Sequence, residues 1–436
     1  MSRFALPLLA FPLFLASCGD TARLNIAETT GPAPTLPPEV HTPIPTVNVA
    51  PARGWRNGAM PVAAAGLQVA PFATGLQHPR WLLTLPNGDV LVAETAAPPP
   101  DPAHEDHSIK GFFFRHFQRV AGSAVPSANR ITLLRDADGD GVAEIRTPYV
   151  TDLRSPFGMA LVGSTLYVAN ADSLVAFPYD PRATSIAAAP RTITALPAQR
   201  NHHWTKSLAA GPDGRLYVGV GSNSNVAEYG MGEEEERAAI WAIDPASGSH
   251  SLYATGLRNP VGLDFMPGTG DLYAVVNERD ELGSDLVPDY LTRVQPGAFY
   301  GWPWSYYGRH VDRRPEPPRP DMIARAIPPD YALGPHVAAL GLTFSDGARL
   351  GPAYASGAFI GEHGSWNRRP LSGYRVVFVP FAGGRPSGQP IDILTGFVDE
   401  RGHAQGRPVG VQIARDGALL VADDVGNTIW RVSALR

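Results

Sequence analysis

A hairpin that recurs along the chain constrains the fold more than any other feature. Its clearest copy lies in residues 201–225, Asn-His-His-Trp-Thr-Lys-Ser-Leu-Ala-Ala-Gly-Pro-Asp-Gly-Arg-Leu-Tyr-Val-Gly-Val-Gly-Ser-Asn-Ser-Asn. The apolar run 208–210 leads into Pro212-Asp213-Gly214, a turn whose Gly can take φ > 0, and 216–220 alternate as a strand should. The same template appears at 78–94, 156–170, 259–278 and 408–424, with a diverged copy at 340–344 and 358–363. Six units spaced by roughly 50 to 80 residues suit four-stranded blades with variable loops, a six-bladed β-propeller. Trp430-Arg431-Val432, after the sixth hairpin, is expected to pair with the first blade and close the ring, which removes open sheet edges.

The 45 Gly and 44 Pro of the 436 residues favour many tight turns over long helices, so the class is all-β. A formal charge of −5 gives no general attraction to phosphate backbones, and nucleic acid is not expected as a partner. Among 36 basic residues only Lys110 and Lys206 are lysine, which excludes a mechanism needing several catalytic lysines and leaves arginine forks for anions.

At the N-terminus, Arg3 precedes the apolar run 4–15, and Leu15-Ala16-Ser17-Cys18 resembles the lipobox of bacterial lipoproteins, whose cysteine is lipidated. Cys18 is the sole cysteine, so no internal disulfide competes for it. The reading is residues 1–18 as a lipoprotein signal segment, 19–65 as a disordered Pro-rich tether and 66–436 as the propeller. The protein is then exported and anchored to a membrane through Cys18, periplasmic or at the outer membrane. An insertion at about 96–127 follows the first hairpin, and 109–120 reads as a short amphipathic helix. His104, His107 and His116 lie in it without a close i, i+4 pair and read as surface residues.

His202 and His203 stand ahead of the third hairpin, where loop residues usually carry chemistry. If the approach is strand-like the two face opposite ways, and the spacing to Leu208 favours His203 as the one that looks inward. Asp136-Ala137-Asp138-Gly139-Asp140-Gly141-Val142-Ala143-Glu144 sets carboxylates at alternating positions with Gly sixth, like the start of a calcium loop, but the twelfth position is Thr147 and this is not an EF-hand. A short calcium turn through Asp136, Asp138, Asp140 and Glu144 and a metal-free acidic hairpin are both compatible with it. The acidic run 233–236 reads as a solvated loop.

Taken together and in order, His203, Gly256-Leu257-Arg258-Asn259-Pro260-Val261-Gly262-Leu263, Phe299-Tyr300-Gly301-Trp302-Pro303 and Gly361-Glu362-His363-Gly364-Ser365-Trp366-Asn367-Arg368 are similar to the soluble sugar dehydrogenases that use pyrroloquinoline quinone (PQQ), in the sorbosone dehydrogenase-like branch. The resemblance spans about 66–436. It implies a six-bladed propeller with the quinone on its axis, His203 as the base that takes the hydroxyl proton, and Arg258 with Asn259 beside the reactive carbonyl. It also implies Arg368 or Arg369 where the family has a cofactor-binding lysine, and Arg407 as the first of two arginines whose second is Val409 here. A Ca²⁺ would be held by backbone carbonyls at Glu278 and Arg279, where the family's usual Gly-Pro is missing. The implied activity is oxidation of a hydroxyl or hydrated aldehyde of a sugar, with electrons passed on to an unknown acceptor. A calcium-dependent lactonase-type hydrolase and a non-catalytic binding propeller are the alternatives on the same fold. No Gly-rich dinucleotide fingerprint follows a strand.

Overall fold

In the computed structural model, which describes residues 19–105 and 107–435, six antiparallel sheets follow one another around an axis, five of them four-stranded and that of the fifth blade extended to six strands by two short additions. From the innermost strand outward, the first blade is Pro79–Thr84, Val90–Glu94, Arg130–Arg135 and Ile145–Val150. The next four begin with Met159–Val162, Lys206–Ala210, Asn259–Phe265 and Ala339–Phe344, and the sixth with Pro408–Ile413. Burial falls off along each blade. Leu216–Val220 and Ala239–Ile243 of the third are buried at every position because neighbouring blades cover both faces, while its outer strand His250–Thr255 is exposed over its first half.

Ring closure differs in detail from the expectation. Thr428–Ala434, which holds Trp430, pairs with Leu67–Ala73 (Pro71 opposite Trp430), so the strand preceding the first blade completes the sixth. The pairing spans almost the whole chain and still leaves no open edge at the seam.

Trp81, Val261, Leu340 and Val409 from four inner strands, with Phe157 just ahead of a fifth, fill the axis in one cluster with Trp204 packed beside it. The strands can approach only where side chains are missing. A Cβ on Gly158 would lie 2.3 Å from the backbone nitrogen of Leu208, and one on Gly341 would lie 2.2 Å from the carbonyl oxygen of Val409.

Each inner strand runs from one end of the ring to the other. The turns that join first to second and third to fourth strands, among them Gly214 at φ 81°, therefore gather at one end. The loops that join second to third strands, and one blade to the next, gather at the other, called here the loop end. The insertion lies there, with a 3₁₀ turn Pro102–His104 and a helix Ile109–Val120 whose N-cap Ser108 accepts the backbone N–H of Gly111. No helix among the described residues is long and apolar enough to cross a membrane.

The stretch 19–65 is not a free tether, which corrects the reading from composition. It lies across the loop end: Ala22 N–H donates to Arg369 O at 2.7 Å, Val40 N–H to Leu282 O at 3.0 Å, Asn48 N–H to Trp366 O at 2.8 Å and Arg53 N–H to Ala404 O at 2.8 Å. Val62–Ala63 then pairs with the outer edge of the fifth blade. Its prolines favour an extended chain of low entropy, which costs less to lay down on a surface than a flexible one. Cys18 and the apolar run before it lie outside the described residues.

Candidate active site

The sequence brings His203 to the loop end through a bend rather than a strand. Its ring Nδ1 lies 2.7 Å from the Ser222 carbonyl and 3.1 Å from the Ser222 hydroxyl. A carbonyl can only accept, so Nδ1 carries the proton and Nε2 keeps its lone pair. Because 201–204 bend, His202 and His203 do not diverge as expected; their rings meet edge to face at 4.8 Å. Phe114 of the insertion helix stacks over His202 at 5.9 Å and meets Trp366 at 6.2 Å, so the helix bridges from the third blade to the fifth across the axis. Burial, then Arg258 and His202, hold the His203 imidazole well below its ordinary value, so it is neutral through the physiological range.

Arg258 is buried beside it. Nη1 donates to Glu278 O at 2.8 Å, Nε to Asn225 O at 3.2 Å and Nη2 to Asn225 Oδ1 at 3.1 Å, and Nη2 lies 3.4 Å from Asp280 Oδ2. Burial would raise the Asp280 carboxyl, but His336, Arg258 and Asn367 outweigh it and bring it down to about 2. Asn259 adjoins the pair, and its Oδ1 is buried without a hydrogen-bond partner.

The sequence reading missed a second cluster across the axis. Asp424 Oδ2 accepts from Arg80 Nη1 at 2.7 Å, and the His363 ring nitrogen lies 2.9 Å and that of His78 3.6 Å from it. Burial opposes ionisation of Asp424, yet His363, His78 and Arg80 together hold its carboxyl far below the usual range. Arg407 adjoins this group, donating Nη2 to the Tyr374 hydroxyl at 2.9 Å. The Nε–H groups of Arg80 and Arg407 are buried and lack acceptors. Arg80 stands 5.9 Å from the rings of both Phe157 and Trp204, directly above the axial plug. Val409 belongs to that plug and is fully buried, so a cation there would displace core; Arg80 supplies the second arginine from the opposite side of the seam.

A regularity in the sequence points to these residues. His78-Pro79, Asn259-Pro260 and Arg407-Pro408 each set a polar residue against a proline at the start of an inner strand. His78, Ser155, Asn201 and His336, in the loops that lead into four of the inner strands, all have φ between 44° and 58°, the left-handed region that side chains avoid unless their surroundings impose it.

Arg80, Lys206, Arg237, Arg258 and Arg407 are all buried at this end, which also holds buried carboxylates such as Glu234, Glu362 and Asp423; of these five cations Arg80 and Arg258 have a carboxylate within ion-pair distance among the described residues, Asp424 and Asp280. Burial, then Arg237, hold the Lys206 amine well below its ordinary range; it donates to Asn201 Oδ1 at 2.9 Å. Buried cations with unspent N–H groups are costly unless an anion completes them.

Other expected site residues have different work. Arg368 is buried with Nε on Ser284 O and Nη1 on Pro370 O, both at 2.9 Å, and so fastens its own loop. Arg369 is half-buried, and its carbonyl takes the Ala22 N–H. The backbone metal site at Glu278 and Arg279 does not fit. The Glu278 carbonyl already accepts from Arg258, whose charge repels a cation, and the Arg279 side chain is fully buried, donating to Pro303 O and Ser305 O, each at 2.7 Å.

The acidic turn is at the opposite end of the ring from His203. One oxygen from each of Asp136, Asp138, Asp140 and Glu144 lies within 4.8 Å of the others. Those carboxylates also cap their own turn: Asp136 accepts from Gly139 and Gly141, and Glu144 from Ala137.

The model of the family described as TrAA12-like matches residues 127–297 and 321–434. The chain belongs to that family. Solved structures resemble it in fold and only weakly in sequence. The holo form of the pyranose dehydrogenase PQQ domain from Coprinopsis cinerea is similar with TM-score 0.68 and 20% identity, over 88% of this chain and 100% of that one. The calcium structure of the Trichoderma reesei Carbohydrate-Active Enzymes Family AA12 protein gives 0.68 and 19%, over 89% and 99%. The PQQ-bound aldose sugar dehydrogenase of Streptomyces coelicolor gives 0.55 and 17%, over 86% and 100%. At such identities these are likenesses of fold. An uncharacterized protein of Borreliella burgdorferi is 31% identical over 220 residues, 50% of this chain and 57% of that relative's length.

Proposed function

We propose that this TrAA12-like protein is a PQQ-dependent oxidoreductase that oxidises a hydroxyl or hydrated aldehyde of a sugar. One observation carries the reading: a histidine locked in the tautomer of a base stands across the axis from buried arginines whose Nε–H groups lack acceptors. The residues fit a flat polyanion. Arg80 and Arg407 would hold carboxylates with their unspent Nε–H groups, Arg258 and Asn259 would flank the cofactor on the His203 side, and Arg369 is the freer of the two arginines after Asn367. When bound, the quinone supplies a carbonyl that accepts two electrons as hydride. His203 contributes a lone pair at Nε2 for the substrate hydroxyl proton, and Ser222 holds the ring in place as the proton arrives. Phe114 and the insertion helix keep bulk water from the axis.

The names of the similar structures, a PQQ domain and a PQQ-bound aldose dehydrogenase among them, support the cofactor and a sugar as substrate. We assign calcium no part in the reaction, because the Glu278 carbonyl faces a guanidinium. The 136–144 turn is the better place for a cation, as a clamp on the hairpin. Export and anchoring through a lipidated Cys18 rest on residues 1–18 alone; labelling cells with a radioactive fatty acid tests them, and a Cys18→Ala chain that still takes up label would sink that assignment. The electron acceptor is unassigned.

Purified protein, freed of cofactor and titrated with PQQ, is expected to quench its tryptophan fluorescence saturably and to reduce an artificial dye with aldoses. Lactone hydrolysis without PQQ would overturn the proposal in favour of a hydrolase, and absence of both binding and turnover in favour of a binding propeller.

A further inference from the structure

We propose that the loop end of the ring docks on an anionic phospholipid surface, with the insertion helix Ile109–Val120 lying in the headgroup layer. Two neighbouring aromatics on that helix, Phe112 and Phe113, are 57% and 52% exposed, and helical spacing puts exposed His116 and Arg119 on the same side. The twelve residues IKGFFFRHFQRV contain Lys110, Arg115 and Arg119 and no acidic residue, although the whole chain is net acidic. Apolar rings beside a local excess of positive charge are the pattern of a helix that lies in an interface, rings in the acyl boundary and cations on phosphates. The helix does not need the membrane to stay in place, since Phe114 is held by His202 and Trp366 and the Val120 carbonyl accepts the Ala52 N–H at 2.8 Å.

The surroundings choose the occupant. Ile44 (56%), Tyr229 (48%) and Val125 (38%) are also exposed on loops of this end, which makes the apolar surface broader than one helix. At the other end Val142, Val162, Ile391 and Leu435 are exposed among the described residues, on separate blades or turns with no aromatic among them. The first described residues lie on the same side. Asp20 accepts the Ser284 N–H at 2.8 Å in a loop of this end, and the apolar run 4–15 lies only a few residues upstream of Gly19. A lipid on Cys18 and the aromatic helix would reach one surface together, and His203 would then face that surface rather than open solvent.

The test uses the full chain with sonicated vesicles of phosphatidylglycerol or of phosphatidylcholine alone, read by sedimentation and by amide hydrogen exchange. The expected result is at least tenfold tighter binding to phosphatidylglycerol, weakened by salt, with new protection over 109–120. F112D/F113D is expected to lose at least tenfold in binding with its melting temperature unchanged, and R119E to lose the preference for anionic lipid. Equal binding by F112D/F113D, or protection confined to residues before 19, overturns the proposal. So does protection of 109–120 that grows with protein concentration in the absence of lipid, which would assign the patch to a second copy of the chain.

Discussion

At the turn end, Asp136 spends both oxygens on the backbone N–H groups of Gly139 and Gly141, whereas at the loop end Arg80 and Arg407 each bury an Nε–H with no acceptor. Both regions look like ligand sites in sequence. The difference lies in what remains unspent: exposed carboxylates that cap their own hairpin are a stable turn with or without a guest, but buried guanidinium donors left open are paid for only when something anionic arrives. The contrast separates a region that can hold an ion from one built to need a partner.

The sharpest way to break this comparison is to exchange one residue in each region. His203→Ala is expected to lower dye-linked sugar oxidation by about a thousandfold, the usual scale for a positioned base, while Asp136→Asn leaves the rate within twofold. A His203→Ala protein that keeps a tenth of the activity would remove the base assigned here. Next in size, Arg80→Met and Arg407→Met should each weaken PQQ binding by roughly 10- to 100-fold, the scale of a lost charge-assisted hydrogen bond, as read by fluorescence titration without turnover. Unchanged affinity in both would mean that the open Nε–H groups face something else.

The ionic pairs at the loop end set a pH signature. Asp280 is depressed to about 2 in the fold, so it contributes stability at pH values above its unfolded value, and that contribution is lost as pH falls from about 4 toward 2. The shift corresponds to about 2 kcal/mol, and Asp280→Asn should flatten the acid limb of the unfolding curve by that amount. For activity the sign is set by His203. Its lowered value keeps the base neutral below pH 6.5, and Arg258→Met, which removes a positive charge that repels the imidazolium, should move the acid limb of kcat/KM to higher pH. The smallest effect belongs to the acidic turn: millimolar calcium should raise the melting temperature by a few degrees or less, on the order expected for a weak surface ion, and Asp138→Asn should abolish the rise without altering dye reduction.

The ring was legible because its unit is local. Strand, Pro-Asp-Gly or an equivalent turn, and strand lie within about twenty residues, and each inner pair announces itself by apolar runs. The closing pair of Leu67–Ala73 with Thr428–Ala434 was not, since nothing local marks two strands at opposite ends of a chain as neighbours. The course of 19–65 was hidden for a related reason. Proline content specifies an extended chain but not the carbonyls of Leu282, Trp366 and Ala404 on which it rests. His203 and Arg258 could be read from their motifs, whereas the Arg80 and Asp424 pair joins residues 344 positions apart and becomes visible only when the first and sixth blades meet. The expected metal ligands at Glu278 and Arg279 do not fit because Arg258, at the start of the same blade, reaches the Glu278 carbonyl.

The segment that crosses the loop end is made first and seated last. Its footholds at Leu282, Ala332, Trp366 and Ala404 belong to the last three blades, and Trp55 reaches Asp423 at 2.7 Å only after the last blade exists. During synthesis this leading stretch must therefore wait undocked, and its seating reports a finished ring. A protease that nicks it would distinguish complete molecules from those arrested partway through assembly.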